Sequence, residues 1–272
     1  MAETRTTEAE GLREEIRACR ERIVELVCAY DHIVLQTYRQ IECDYALKIG
    51  CWEVALLEAE LACKKAKRSL ALARARVNDG LDVEPDEVAK VIDDELTQWT
   101  SHVKAALANQ SQLLQRLAGQ RTLTPAEARR LKRLWRTLAK RLHPDLHPGD
   151  DPERDVLFSI ATEAYRDGNL ALLQSLEVST RGFEGRDDDL AGRTTDELHL
   201  ELELLQAEEN VAAERVEEAK ASATYQLGEQ LQDAEWVTSK VMGLKASIAA
   251  FDESRREYDR RYRELLEECH GR

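Results

Sequence analysis

An imidazole, a ring-locked backbone and a carboxylate follow one another at His143-Pro144-Asp145, directly after a run of cations. Proline fixes its own φ, lacks an N–H and restricts the residue before it, so this tripeptide ends the helix leading into it and holds a loop. A loop held in that way presents Asp145 as an ion-pair acceptor. The cations are Arg129, Arg130, Lys132, Arg133, Arg136, Lys140 and Arg141, opposed only by Glu127 and Asp145 at the ends of the stretch. In isolation a basic helix is most often a solvated face. Joined to the loop, these side chains are suited to steer association with an acidic partner and to make it salt-sensitive. Arg129, Arg133, Arg136, Lys140 and Arg141 on the helix, with His143, Pro144 and Asp145 in the loop, are the residues of this segment whose chemistry a partner could meet.

A different chemistry uses His143, Asp145, His147 and Asp150, whose imidazoles and carboxylates would suit zinc or another divalent ion if they converged. Two prolines in the loop, Pro144 and Pro148, oppose that convergence, and no metal site is expected. The sequence contains no Gly-rich phosphate loop, nucleophile elbow or paired catalytic motif, so a non-enzymatic protein without a cofactor is expected. His32, His102 and His199 have no neighbouring partner set and read as surface or seam residues.

The elements that must position the loop are legible around it. Thr124-Pro125-Ala126-Glu127 has the form of a capped helix start, and Leu131, Leu134, Trp135, Leu138 and Leu142 then recur at gaps of three and four on one face. Pro148, Gly149 and Asp150 prolong the loop. Asp150 or Asp151 caps a following helix with Pro152 in its first turn, expected to bury Val156, Phe158, Ala161, Ala164 and Tyr165 against the apolar face of the basic helix.

Two antiparallel helices joined by His-Pro-Asp, the first basic outside, resemble the J domain of DnaJ-type co-chaperones. Leu131, Trp135, Arg136, Leu138, Ala139, Leu142, His143, Pro144 and Asp145 match the family's helix and loop, with Trp135 where the family usually has Tyr. Phe158, Glu163, Ala164 and Tyr165 match its next helix. The chain departs from the family in three ways. No short first helix is evident before Thr124, and Arg166 to Leu173 form a turn into a short helix in place of the basic fourth helix. Neither a Gly/Phe-rich linker nor paired Cys motifs are present. The resemblance implies that the basic helix docks on an acidic surface of a DnaK-type 70-kDa heat-shock ATPase, that Asp145 pairs with an arginine of that partner, and that the partner's ATP hydrolysis accelerates. His143 and Pro144 would shape the loop and add contacts.

Composition sets the rest of the frame. Of 272 residues 34 % are charged and only 5 % aromatic, with 12 Gly and 5 Pro, which points to long amphipathic helices, an all-α fold and essentially no sheet. A net charge of −14 disfavours nucleic acid and anionic membrane as partners. Cys19, Cys28, Cys43, Cys51, Cys63 and Cys269 show no C-x-x-C spacing, and the first five lie along one expected helix that cannot bridge them; they read as small core residues of a reducing compartment. With no apolar signal region and no membrane-length run, a cytoplasmic location is expected.

Heptad stripes surround the basic segment. Leu12, Ile16, Cys19, Ile23, Leu26, Tyr30 and Ile33 form a seam that slips at Val34, Tyr38 and Ile41 and resumes from Tyr45 to Val77, before Asn78-Asp79-Gly80 ends the helix. Pro85 opens a second helix seamed by Val88, Ile92, Leu96, Trp99, Val103, Ala106, Leu113 and Leu117 and closed by Gly119. The expected organisation is a long antiparallel coiled-coil hairpin over 1–120, the J-like unit over 121–178, a flexible linker over 179–193 with Gly182, Gly185, Asp187, Asp188, Asp189 and Gly192, and a second hairpin over 194–272. In that second hairpin Leu198 to Ala223 forms one stripe and Val237 to Cys269 the other, with Asp233 as N-cap of the last helix. The functional expectation is a co-chaperone that recruits a DnaK-type chaperone while its coiled coils bind an unknown client or a second copy. The alternative is a coiled-coil scaffold whose J-like unit is only a fold.

Overall fold

The computed structural model describes residues 2–119, 123–147, 149, 151–183 and 190–270, and among them every regular element is helical. Helical backbone runs from Ala2 to Asn78 as α1 (Ala2–His32), a π turn (Ile33–Thr37), α2 (Tyr38–Tyr45), a second π turn (Ala46–Gly50) and α3 (Cys51–Asn78). The first π turn falls on the heptad slip: successive gaps of four carry the seam off its line, and an i→i+5 turn absorbs the extra residue without ending the helix. Gly80, at φ 71°, ends the run in a Schellman geometry, with Leu81 N donating to Arg76 O at 2.9 Å and Gly80 N to Val77 O at 3.1 Å.

Pro85 opens α4 (Pro85–Glu95), and α5 (Thr97–Gly119) follows. The single helix expected here is interrupted at Leu96, where the Thr97 hydroxyl donates to Asp93 O at 2.6 Å and competes with the helical backbone. Trp99, expected in the seam, is 37 % exposed and lies under Lys64, whose Nζ is 4.2 Å from the ring centroid. The side chain of Leu117, also expected in the seam, lies outside those described.

The chain forms two compact units, Met1–Ile41 with Gln120–Gly228 and Glu42–Gly119 with Glu229–Arg272. This differs from the sequential division at 120 and 194. In the first unit α1 packs along α9 (Thr195–Ala221). In the second, α11 (Ala234–His270) packs along α3, with α4 and α5 also returning onto α3. The stripe 194–272 therefore does not supply one self-contained hairpin: its two halves belong to different units. The physical reason is that every stripe is apolar at the same period, so chain adjacency alone does not select the mate. Leu198 and Leu202 bury against Leu12, Ile16, Cys19 and Ile23. Small residues Ala59, Cys63, Ala66 and Ala73 are buried on α3.

The first unit also contains α6 (Pro125–Leu142), α7 (Pro152–Arg166) and α8 (Leu170–Ser179), and α10 (Ala223–Gln230) begins within it. Helices α6, α7 and α8 each pack on the other two around Leu131, Trp135, Leu138, Leu142, Ala161, Ala164, Tyr165 and Leu173. In the α1 seam Tyr30 turns outward, and Val24 and Val27 are buried instead. Gly228 is required by a close approach: a Cβ there would stand 2.5 Å from Ile41 Cδ1. The segment expected to be a free linker is anchored at its described ends. Thr180 is fully buried, Leu190 joins the α1–α9 core, and Arg13 Nε donates to Leu190 O at 3.3 Å. Gly185 and Asp187 to Asp189 lie outside the described residues.

In the second unit Ala73, Val83, Val88 and Ile92 form a small core with Tyr262, Leu265 and Leu266 beside it. Asp233 caps α11 as expected, its Oδ1 accepting from Glu235 N and Trp236 N at 2.9 and 3.2 Å. All six cysteines are free thiols. Among the described residues no helix is long and apolar enough to cross a membrane.

Candidate functional site: the loop after the basic helix

Local sequence builds α6 at both ends. Thr124 and Glu127 form a capping box, with Glu127 N donating to Thr124 Oγ1 and Thr124 N to Glu127 Oε2. Pro125 occupies the first turn, and His143, in extended conformation before Pro144, ends the helix. Asp151 caps α7 by accepting from Arg154 N at 3.2 Å, whereas Pro148 and Asp150 lie outside the described residues. The apolar face of α6 is buried as its spacing predicts. Val156 is the exception on α7, at 59 % exposure, because Leu157, Phe158, Ala161, Ala164 and Tyr165 already fill the face that meets α6.

Stacked rings hold the loop's root. Trp135 lies 4.6 Å from Tyr165 and 5.8 Å from Phe158 between centroids, and His143 meets Phe158 edge-on at 4.8 Å. Moving from Trp135 to His143 along α6 moves the contacts backward along α7, so the two helices run antiparallel. Burial pushes the Tyr165 hydroxyl's pKa well up, and that hydroxyl lies 3.0 Å from His32 Nδ1. His32, read as a lone surface or seam residue, is thus part of this core's margin; burial, with the Lys132 charge second, lowers its pKa.

His143 is only 7 % exposed. Its Nδ1 accepts the Asp145 backbone N–H at 3.0 Å, so in the neutral ring the proton sits on Nε2, the nitrogen 3.6 Å from Asp31 Oδ2 of α1. Leu146 N and His147 N both donate to His143 O, and His147 Nε2 donates to Lys140 O at 2.6 Å. These bonds close the loop and leave Pro144 and Asp145 exposed. They also turn the ring nitrogens of His143 and His147 to separate tasks. Among the described residues no three His, Cys, Asp or Glu side chains gather as a metal site would need.

The expected docking residues divide. Arg129, Arg133, Arg136 and Lys140 follow one another at gaps of four, three and four, so they form one row on α6. The end of the row near the loop is paired to α1. Arg136 binds Glu21 at 3.0 Å and Glu25 at 3.1 Å, and Lys140 also pairs with Glu21. The hydrogen bond from Lys140, helped by that from Arg136, outweighs the opposing effect of burial and holds the Glu21 carboxyl below its ordinary pKa. At the other end Arg129 and Arg133, with Lys132 and Ala126, line a shallow surface cleft. These three cations are exposed and have no ion-pair partner among the described residues. Arg141 belongs to neither group. It is 7 % exposed, and its Nη1 donates to Glu177 O at 2.7 Å and Thr180 Oγ1 at 3.3 Å, so it ties α6 to the end of α8 and is not available to dock.

The exposed loop carboxylate is itself paired: Arg215 Nη1 of α9 lies 2.6 Å from Asp145 Oδ2. Sequence reasoning missed Arg215, Glu21, Glu25 and Asp31 because they come from helices distant in the chain. Only Arg215 left a signal, as the sole Lys or Arg between Thr195 and Ala219 in a strongly acidic segment. No family model, no curated protein and no solved structure matches the chain.

Proposed function

We propose that the α6–α7–α8 module recruits a DnaK-type 70-kDa heat-shock ATPase and stimulates its ATP hydrolysis, while the long helices carry a protein client or assembly contact. The observation that carries this reading is the placement of an exposed Pro144-Asp145 turn, rooted through buried His143 on the Trp135–Phe158–Tyr165 cluster, at the end of a cationic row. Arg129, Lys132 and Arg133 provide the initial attraction for an acidic surface, which salt screens. Asp145 offers a carboxylate to a partner arginine. Arg136 and Lys140 complete the docking row, and Arg141 keeps the row's helix fixed on α8.

Single-turnover ATP hydrolysis by a DnaK-type chaperone tests the reading directly. The full chain should accelerate it, whereas Asp145→Asn and Arg129→Glu/Arg133→Glu should not. Acceleration by Asp145→Asn equal to that of the unaltered chain contradicts the assignment.

A second reading has its own observation. Arg136, Lys140, His143 and Asp145 all meet side chains of α1 or α9, as they would in a scaffold whose loop only joins helices. On that reading the same assay gives no acceleration with any variant, although the chain is folded.

A further inference from the structure

Those internal pairs reproduce, within one chain, the chemistry that the site would present to a partner. Two carboxylates of α1, Glu21 and Glu25, occupy the loop-proximal half of the docking row, where an acidic surface would bind. A guanidinium of α9, Arg215, occupies the loop carboxylate, where a partner arginine would bind. The pairs join residues 70 to 119 positions apart in sequence, so they are not incidental neighbours on one helix. The distal half of the row, Arg129 with Arg133, is left open.

We propose that Glu21, Glu25 and Arg215 form an intramolecular clamp that holds this docking site partly closed, and that an acidic, arginine-bearing partner opens it by exchanging these ion pairs for its own. The proposal rests on the chaperone-recruiting reading. Encounter begins on the open cations, where charge steers the partner without disturbing the fold. Completion requires Arg136, Lys140 and Asp145 to change partners. Arg136, Asp145 and Arg215 have side chains 42 %, 45 % and 51 % exposed, so the clamp consists of solvated pairs, each of modest strength. It therefore lowers affinity without abolishing it, and no bond in the core has to break.

The test uses the full chain in the single-turnover assay and records the concentration giving half-maximal stimulation. Glu21→Gln/Glu25→Gln and Arg215→Gln should each lower that concentration about two- to fivefold, the range an exposed pair supports, and their combination should lower it further. Adding Asp145→Asn to the combined variant should remove stimulation. Arg68→Gln, which breaks the exposed Arg68–Glu95 pair of the other unit, should leave the value unchanged. An unchanged or raised half-maximal concentration in the Glu21/Glu25 and Arg215 variants, with stimulation by the unaltered chain intact, overturns the clamp and leaves the recruiting function standing. Absence of stimulation from the unaltered chain and from every folded clamp variant instead overturns the recruiting function, and the clamp with it.

Discussion

The two units bury apolar surface in different ways. In the first, Trp135, Phe158 and Tyr165 gather at one point between α6 and α7, and the loop at 143–147 is rooted there. In the second, mostly small residues spread along α3, with Ala59, Cys63, Ala66 and Ala73 taking four of the five buried positions and Leu70 the other. A concentrated aromatic cluster fixes the orientation of a short loop. A distributed small-residue seam fixes the close approach of long helices and specifies little at any one position. Charge differs as well: in the first unit Arg136–Glu21 and Arg215–Asp145 end on the α6 row and the loop, beside Arg20–Glu201 and Arg22–Glu209 between α1 and α9, whereas Lys65–Asp93, Arg68–Glu95 and Arg76–Glu87 of the second join α3 to α4 and its end.

Substitutions that attack each kind of core should separate the units most clearly. Trp135→Ala empties the centre of the cluster and should destabilise the first unit by about 3–5 kcal/mol. Denaturant unfolding followed by amide exchange should show the loss over α6 to α8 and little change over α3 and α11. Ala66→Leu overfills the α3 seam and should cost the second unit about 1–3 kcal/mol, with the opposite pattern of exchange. Equal destabilisation of both units by either change would erase the contrast. An effect similar to that of Ala66→Leu, but confined to the first unit, is expected from Arg141→Met, which leaves Glu177 O and Thr180 Oγ1 short of a donor. It should cost about 1–3 kcal/mol and loosen α8 from α6 without affecting the long helices.

Acidification should act on the first unit in two windows. His32 has a lowered pKa, so its contribution is full above its ordinary value of 6.5 and declines as pH falls from there toward the folded-state value. Glu21 also has a lowered pKa, which for an acid means a contribution present above 4.5 and lost as pH falls through the lower folded-state value. Trp135 is the only one of the four tryptophans in the first unit, so a variant retaining Trp135 alone reports that unit by fluorescence. His32→Gln should remove the upper slope and Glu21→Gln the lower one; persistence of both slopes would detach them from these residues.

Local signals made much of this architecture legible. The Thr124 capping box, the Asp233 cap, the Gly80 terminus and the apolar face of α6 each depend on residues within a few positions of one another, and each stands where its pattern places it. The π turn at Ile33–Thr37 was foreshadowed by a slip in the heptads. The mates of the long helices were not legible, because the stripes of α1, α3, α9 and α11 share period and chemistry. Val156 and Tyr30 failed for a related reason, since a position one step from the stripe is settled by what the facing helix already fills. In the candidate site the loop and its cations could be read directly. Glu21, Glu25, Asp31 and Arg215 could not, because an ion pair between distant segments leaves no spacing to recognise.

The central claim is that recognition belongs to the loop and basic row of the first unit, and amide exchange of the full chain with and without a DnaK-type chaperone tests it most directly. Exchange over 125–147 should slow on adding the chaperone, and less so with Asp145→Asn. Slowing confined to α3 and α11, or unchanged by that substitution, would contradict it.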